Sequence, residues 1–353
     1  MSYFKDITKI FLITLILFFF TDFFFGERIL KKFKVIYLEE LLKVSNDDYG
    51  YSFKSNINTN FAVWGNTYYK LCTDSRGFKF NCKDKELKNY EIAFIGDSFT
   101  EGIALPFQKT FVGKFKQKTK LDIVNLGVSS YSPNIYLKKI KYLISNKIVL
   151  FNHVIVGIDL SDLEEDWKRG EIEKKRNTSN TNSREQSKVI LKLFLAKNLP
   201  TTYLILQKIN WYIKLELIKN LSVDHLDYSK NRGSWSYIKK YDKLNEKIEN
   251  QVNNMNELFN YLKDNNIKLS ILIYPHQASI KYDVKDSLYK KIWKNYCKNK
   301  CFKFIDAYSI FFDELNDTSK DEIMKKYYIK GDHHFNEKGN DVVFKILLKN
   351  FNY

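Results

Sequence analysis

Five short apolar runs, each stopped by a glycine, proline or polar residue, constrain this chain more than any other feature. They are EIAFI (Glu91–Ile95), LDIVN (Leu121–Asn125), VIVG (Val154–Gly157), IKLSILIYP (Ile267–Pro275) and FKFID (Phe302–Asp306). A strand with one wet face alternates apolar and polar residues, whereas a strand buried on both faces reads as an unbroken apolar run. Segments of helical period separate the runs. Leu244, Ile248, Val252, Met255, Phe259 and Leu262 recur at spacings of three and four, as one helix face does, and DVVFKILLKNF from Asp341 closes the chain the same way. Parallel strands need crossover connections, so the pattern predicts an α/β fold. The expected architecture is a flavodoxin-like three-layer sandwich with a five-stranded parallel sheet, preceded by a transmembrane helix. No internal repeat is visible.

The amino end reads IFLITLILFFFTDFFFG from Ile10 to Gly26, roughly 17 residues, near the lower limit for crossing a bilayer. Asp22 is the one charge inside it. Lys5 and Lys9 precede it and Arg28, Lys31, Lys32 and Lys34 follow, so flanking charge does not set its orientation. The phenylalanine run offers no small residues for a signal cleavage site. An uncleaved, single-pass anchor in the inner membrane is expected, with the amino end in the cytoplasm and the remainder in the periplasm or outside the cell. A buried helix of a soluble protein is the alternative, but an unbroken aromatic run has no polar face to show water.

Cysteine usage agrees with export. The four cysteines fall into two local pairs, Cys72 with Cys82 and Cys297 with Cys301, which suits two short disulfide loops. Free thiols are the alternative; zinc knuckles prefer CxxC, and neither spacing matches. The 58 Lys and Arg outnumber the 41 Asp and Glu, for a net charge of +17. Because the lysines are spread along the chain, a solvated basic surface is expected and nucleic acid is not an expected partner.

Three regions follow: an anchor over 1–34, an irregular Tyr- and Lys-rich lead-in over 35–88, and the α/β domain over 89–353. An insertion at about 170–240 interrupts the last. It begins with the polar run Lys174–Lys188 and continues as an apolar stretch, Val189–Ile218, with scattered lysines. That stretch could cap the site or lie on a membrane surface. The cap is the expectation.

The first apolar run leads directly into GDSFTEG, Gly96 to Gly102. Ser98 thus stands at the carboxyl end of a parallel strand, before a helix, where α/β sheets place ligands. Gly96 would permit the sharp turn. The competing reading makes Asp97 and Ser98 a helix N-cap. Near the carboxyl end comes GDHHFNEKG, Gly331 to Gly339. There Asp332 can hold one nitrogen of His334 while the other faces a serine hydroxyl, as activation of a weak nucleophile requires. In an extended loop Asp332 and His334 share one side and His333 points away. Asp332, His333 and His334 could instead bind a metal. That needs further ligands, and His153, His225 and His276 lie in unrelated sequence contexts, so neither metal nor cofactor is expected.

GDSFTEG, a glycine after the second run, and Asp-x-His before a closing helix together resemble the SGNH (GDSL-type) hydrolase family, in a membrane-anchored bacterial envelope form. The resemblance runs from about Glu91 to the carboxyl end, without the insertion. It implies Ser98 as nucleophile, His334 as general base and Asp332 as the residue that orients it. The amides of Ser98 and Gly127 would be oxyanion donors. The family's third block, GxND, departs: after VIVG the chain continues IDLSDLEED. Aligning Asp162 with the Asp of that block puts Ser161 at the Asn position; counting from Gly157 puts Asp159 there, where an ionised carboxylate cannot donate. Asp159, Asp162, Glu164, Glu165 and Asp166 otherwise read as a solvated acidic loop.

The expected activity is a serine esterase acting through an acyl-enzyme on Ser98, with an acylated envelope glycan or a small ester as substrate. An O-acyltransferase to a glycan hydroxyl, or a non-catalytic glycan-binding or assembly protein, are the alternatives.

Overall fold

A computed structural model describes residues 2–32, 37–38, 42–64, 67–177, 191, 194–195, 198–220 and 243–352. Most of the polar run expected at Lys174–Lys188 lies outside the described residues, as does His225. In chain order the described strands are β1 (Tyr37–Leu38), β2 (Lys43–Asn46), β3 (Gly50–Phe53), β4 (Asn58–Trp64), β5 (Thr67–Cys72), β6 (Asn89–Ile95), β7 (Ile123–Asn125), β8 (Leu150–Ile158), β9 (Lys268–Ile273) and β10 (Lys303–Asp306).

The five apolar runs become β6 to β10. They form one sheet in the order β10-β9-β8-β6-β7, and every neighbouring pair is parallel. This is the flavodoxin order that the sequence predicts. Burial explains the unbroken runs: Ala93, Phe94, Ile95, Val154, Ile155, Val156, Ile271, Leu272 and Ile273 are all buried. Helices Phe111–Thr119 and Glu337–Phe351 pack together, as do Pro133–Ser145, Asp162–Asn177 and Leu244–Asp264. In Leu244–Asp264, Met255, Leu258 and Leu262 reach the core, and Leu244, Ile248, Val252 and Phe259 are partly buried against it.

From β6 the chain runs to β7 on one side, then crosses back to β8 on the other. The carboxyl ends of β6 and β8 therefore flank the point where strand order reverses. Open α/β sheets bind ligands in that crevice.

The lead-in is not irregular. β2 and β3 pair antiparallel, and β4 and β5 pair antiparallel within a second small sheet that includes β1. Leu42, Tyr49, Phe53, Ala62, Tyr69, Leu71 and Phe78 from this segment join the same core cluster as the main sheet. Buried Lys79 donates from Nζ to the carbonyls of Gly102 and Leu105, both at 2.8 Å, and so closes the carboxyl end of the helix that Ser98 opens. Two disulfides join Cys72 to Cys82 and Cys297 to Cys301, as the spacing predicts. The amino-terminal helix runs from Ser2 to Lys32, and its apolar part, Lys5–Gly26, is 22 residues long with mean hydropathy 2.0. It is longer than the apolar run alone because the helix continues through the flanking lysines. Almost none of it is buried within the protein.

Candidate active site

Ser98 opens the four-residue helix Ser98–Glu101 directly beyond β6. Asp97 is the cap: its Oδ1 accepts from the Phe99 amide at 3.0 Å. The capping and nucleophile readings thus fall on adjacent residues. Gly96 does not adopt a left-handed conformation. Its role is close approach, since a Cβ there would lie 2.2 Å from Thr100 Oγ1 and 3.1 Å from the Gly157 carbonyl. Glycine at 96 lets the ends of β6 and β8 meet around Thr100.

From the other end of the chain, Asn336 caps helix Glu337–Phe351 by accepting from Lys338 and Gly339. The preceding loop carries Asp332 and His334 to Ser98. The Ser98 hydroxyl donates to His334 Nε2 at 2.8 Å. His334 Nδ1 donates to Asp332 Oδ1, and the His334 backbone amide reaches the same oxygen at 3.0 Å. The tautomer follows: a carboxylate only accepts, so Nδ1 carries the proton and Nε2 is left basic toward the serine. All three residues are buried, Ser98 least so at 7% exposure. Burial pushes the Asp332 carboxyl up, but the neighbouring His334 and His333 and the hydrogen bonds donated by His334 prevail and hold it well below the usual range.

The other oxygen of Asp332 has a partner that the sequence reading missed. Trp64, the last residue of β4, donates from Nε1 to Asp332 Oδ2 at 2.9 Å, and its ring meets His334 edge-on at 5.3 Å. A signal was present: TNFAVW and TYYKLC are separated by Gly65-Asn66, a two-residue hairpin signature.

The residues expected to donate to an oxyanion behave differently from Ser98, His334 and Asp332. The Ser98 amide has no acceptor among the described residues. The Gly127 amide instead donates to Asn125 Oδ1 at 3.0 Å, although Gly127 does lie against helix Ser98–Glu101, where a Cβ would come 2.8 Å from the Glu101 nitrogen. Ser161 gives both its amide (2.6 Å) and its hydroxyl (2.5 Å) to Asp159 Oδ1. In this state neither Gly127 nor Ser161 presents a free donor.

The acidic run is not a solvated loop. Asp159, Asp162 and Asp166 are fully buried where β8 passes into helix Asp162–Asn177. Acidic side chains at a helix amino terminus are favoured by the helix dipole, and here neighbours supply the donors. Asp162 accepts from Tyr136 Oη (2.8 Å) and the Asp159 amide (3.1 Å); Asp166 accepts from the Asn134 amide and the side chains of Asn250 and Asn254. Glu164 pairs with Lys247 at 2.9 Å. Burial pushes the Asp159 carboxyl up to about 6 against the hydrogen bonds from Ser161. Asp97 and Asp162 are pushed well up by burial and by the neighbouring carboxylates. Asp159 Oδ1 takes both Ser161 bonds, and its Oδ2 has no hydrogen-bond partner among the described residues.

His276 does not lie in an unrelated context. It stacks on His333 with ring centroids 4.8 Å apart, and His333 lies 4.0 Å from His334. His333 therefore turns toward His276 and stays beside His334. Burial, and then the neighbouring His334, bring the His276 imidazole down to about 3. His153 is elsewhere, bonded to Ser270 Oγ at 2.8 Å between β8 and β9. Ligand atoms of Asp332, His333 and His334 lie within 4.8 Å of one another, but Asp332 and His334 are engaged with each other and with Trp64 and Ser98.

No protein-family model matches the chain, and no curated protein sequence matches it. Solved structures similar to it include a member of the lipolytic protein G-D-S-L family from Veillonella parvula, at 14% identity and a TM-score of 0.41, covering 74% of this chain and 98% of that one. A catalytic mutant of an acetylxylan esterase from Geobacillus stearothermophilus is 11% identical with a TM-score of 0.40, covering 76% and 97%. A psychrotrophic esterase from Pseudoalteromonas is 10% identical with a TM-score of 0.38, covering 75% and 97%.

Proposed function

We propose that this chain is an SGNH-type serine ester hydrolase, held to the membrane by helix Ser2–Lys32, that removes O-acyl groups from an envelope glycan. The observation that carries the reading is the continuous hydrogen-bonded relay from Ser98 through His334 to Asp332. As Ser98 Oγ attacks an ester carbonyl, its proton passes to His334 Nε2. Asp332 holds the opposite nitrogen and stabilises the imidazolium that forms. The Ser98 amide is aimed along the first turn of its helix and can receive the developing oxyanion. His334 then returns the proton to the leaving alcohol, which leaves an acyl group on Ser98. Water, activated by the same imidazole, releases the acid.

Membrane attachment is supported by the length and hydropathy of Lys5–Gly26. Placement of the domain on the oxidising side is supported by the two disulfides.

The test is labelling by a fluorophosphonate and turnover of p-nitrophenyl acetate, before and after Ser98→Ala. Both should be lost. Labelling that survives the substitution places the nucleophile elsewhere. Incubation with acetylated glycan and analysis of products then separates release of free acid from transfer to a second sugar hydroxyl.

A further inference from the structure

Asp22 is the only charged residue between Ile10 and Gly26, and a carboxylate in an apolar span is costly unless its acceptor sites are filled. They are filled by a second helix. Asp22 is buried, and it accepts from the amides of Thr201 (2.9 Å) and Thr202 (2.7 Å) and from the Thr202 hydroxyl (2.6 Å). These groups form the amino terminus of helix Pro200–Asn220, where Pro200 starts the helix and a negative charge meets the positive end of the dipole. One turn along the anchor, Gly26 makes room for the contact, since a Cβ there would stand 3.0 Å from Pro200.

Beyond that joint the helix has two different sides. Tyr203 and Leu204 are buried, and Lys208 reaches over the Tyr68 ring of β5 at 5.2 Å. Ile205, Leu206, Ile209, Tyr212 and Ile213 are all exposed and follow the spacing of one helical face. Lys208, Lys214, Glu216 and Lys219 make this helix too charged to cross a bilayer. Asp22 lies four residues before Gly26, about 6 Å of helical rise from the end of the apolar span, which is the depth of the interfacial layer. Lysines on such a helix suit an anionic headgroup layer.

We infer that helix Pro200–Asn220 is a second membrane-contact element, clamped to the anchor through Asp22 and resting its apolar face in the outer interface of the bilayer. The inference rests on the anchor reading of Lys5–Gly26. It replaces the expected cap over the site, and it ties the lead-in sheet that carries Trp64 to the membrane surface through Tyr68.

The full-length protein is reconstituted in vesicles of phosphatidylcholine and phosphatidylglycerol. Single cysteines are introduced as Phe20→Cys, Ile209→Cys, Ile213→Cys and Val284→Cys, and labelled with a nitrobenzoxadiazole probe under non-reducing conditions. Doxyl-labelled lipid should remove most of the fluorescence at positions 20, 209 and 213 and leave position 284 unchanged. Quenching at 20 without quenching at 209 and 213 overturns the inference and preserves the anchor. Loss of quenching at 20 overturns the anchor reading itself. Energy transfer between copies at 209 with no lipid quenching would show a second copy on the stripe, and also overturns the inference. In the same vesicles, Asp22→Ala should speed hydrogen exchange at the Thr201 and Thr202 amides; unchanged exchange removes the clamp.

Discussion

Trp64 Nε1 donates a 2.9 Å hydrogen bond to Asp332 Oδ2, across a sequence separation of 268 residues. Asp332 Oδ1 is taken by His334, so the tryptophan fills the remaining oxygen and fixes the plane of the carboxylate. The lead-in thus supplies part of the candidate site: β4 places the indole, and the indole sets the carboxylate that holds His334.

Trp64→Phe keeps the ring and removes the donor. It leaves a buried carboxylate oxygen unpaired, a cost of about 1–3 kcal/mol. kcat for p-nitrophenyl acetate should fall about tenfold or more with little change in KM, because the carboxylate matters most as the imidazolium forms. Unchanged kcat in a folded variant would make Trp64 a packing residue only.

His334→Ala should lower turnover by about 10⁴-fold or more, as expected for loss of a triad base. His333→Ala should stay within about tenfold, because its ring stacks on His276 and His334, while it is His334 Nε2 that holds the Ser98 hydroxyl. Equal losses would exclude the relay through His334.

Asp159 should make stability depend on pH. Its folded carboxyl titrates near 6, above the ordinary 3.8, so the native state holds a proton that the unfolded chain has already lost between those values. Stability from this group is therefore present below about 4 and lost as pH rises through about 6. Asp159→Asn should leave the melting temperature nearly unchanged at pH 4 and raise it at pH 7.5, by up to about 3 kcal/mol of stability. Ser161→Ala, which removes a hydroxyl donated to Asp159, should move that transition to higher pH. A melting difference that does not change with pH would show that Asp159 is ionised throughout.

Alkylation of protein taken from its native compartment should label no cysteine before reduction and all four after it. Loop closure makes the Cys72–Cys82 bridge worth about 3 kcal/mol and Cys297–Cys301 about 2 kcal/mol in the chain-entropy picture. Cys72→Ser with Cys82→Ser should therefore lower the melting temperature more than Cys297→Ser with Cys301→Ser.

The sequence by itself determined the parallel sheet, because a strand buried on both faces must be apolar at successive positions, and β6, β8 and β9 are. It determined Ser98, Asp332 and His334 as candidates, because a serine at a strand's carboxyl end and a carboxylate two residues from a histidine are local patterns. Both cysteine pairs were legible for the same reason. Tertiary structure alone decided what those residues touch. Asp159, Asp162 and Asp166 read as a solvated run until the end of β8 buries them among Tyr136, Asn250 and Asn254. His276 became a neighbour of His333 because β9 ends beside the last loop, and the Gly127 amide turned to Asn125. Helix Pro200–Asn220 took its partner, Asp22, from 179 residues away. Periodicity reports which face of an element is buried and carries no information about which distant side chain lies on it, so Ser98, Asp332 and His334 could be picked out from the chain as candidates and the residues that support them could not.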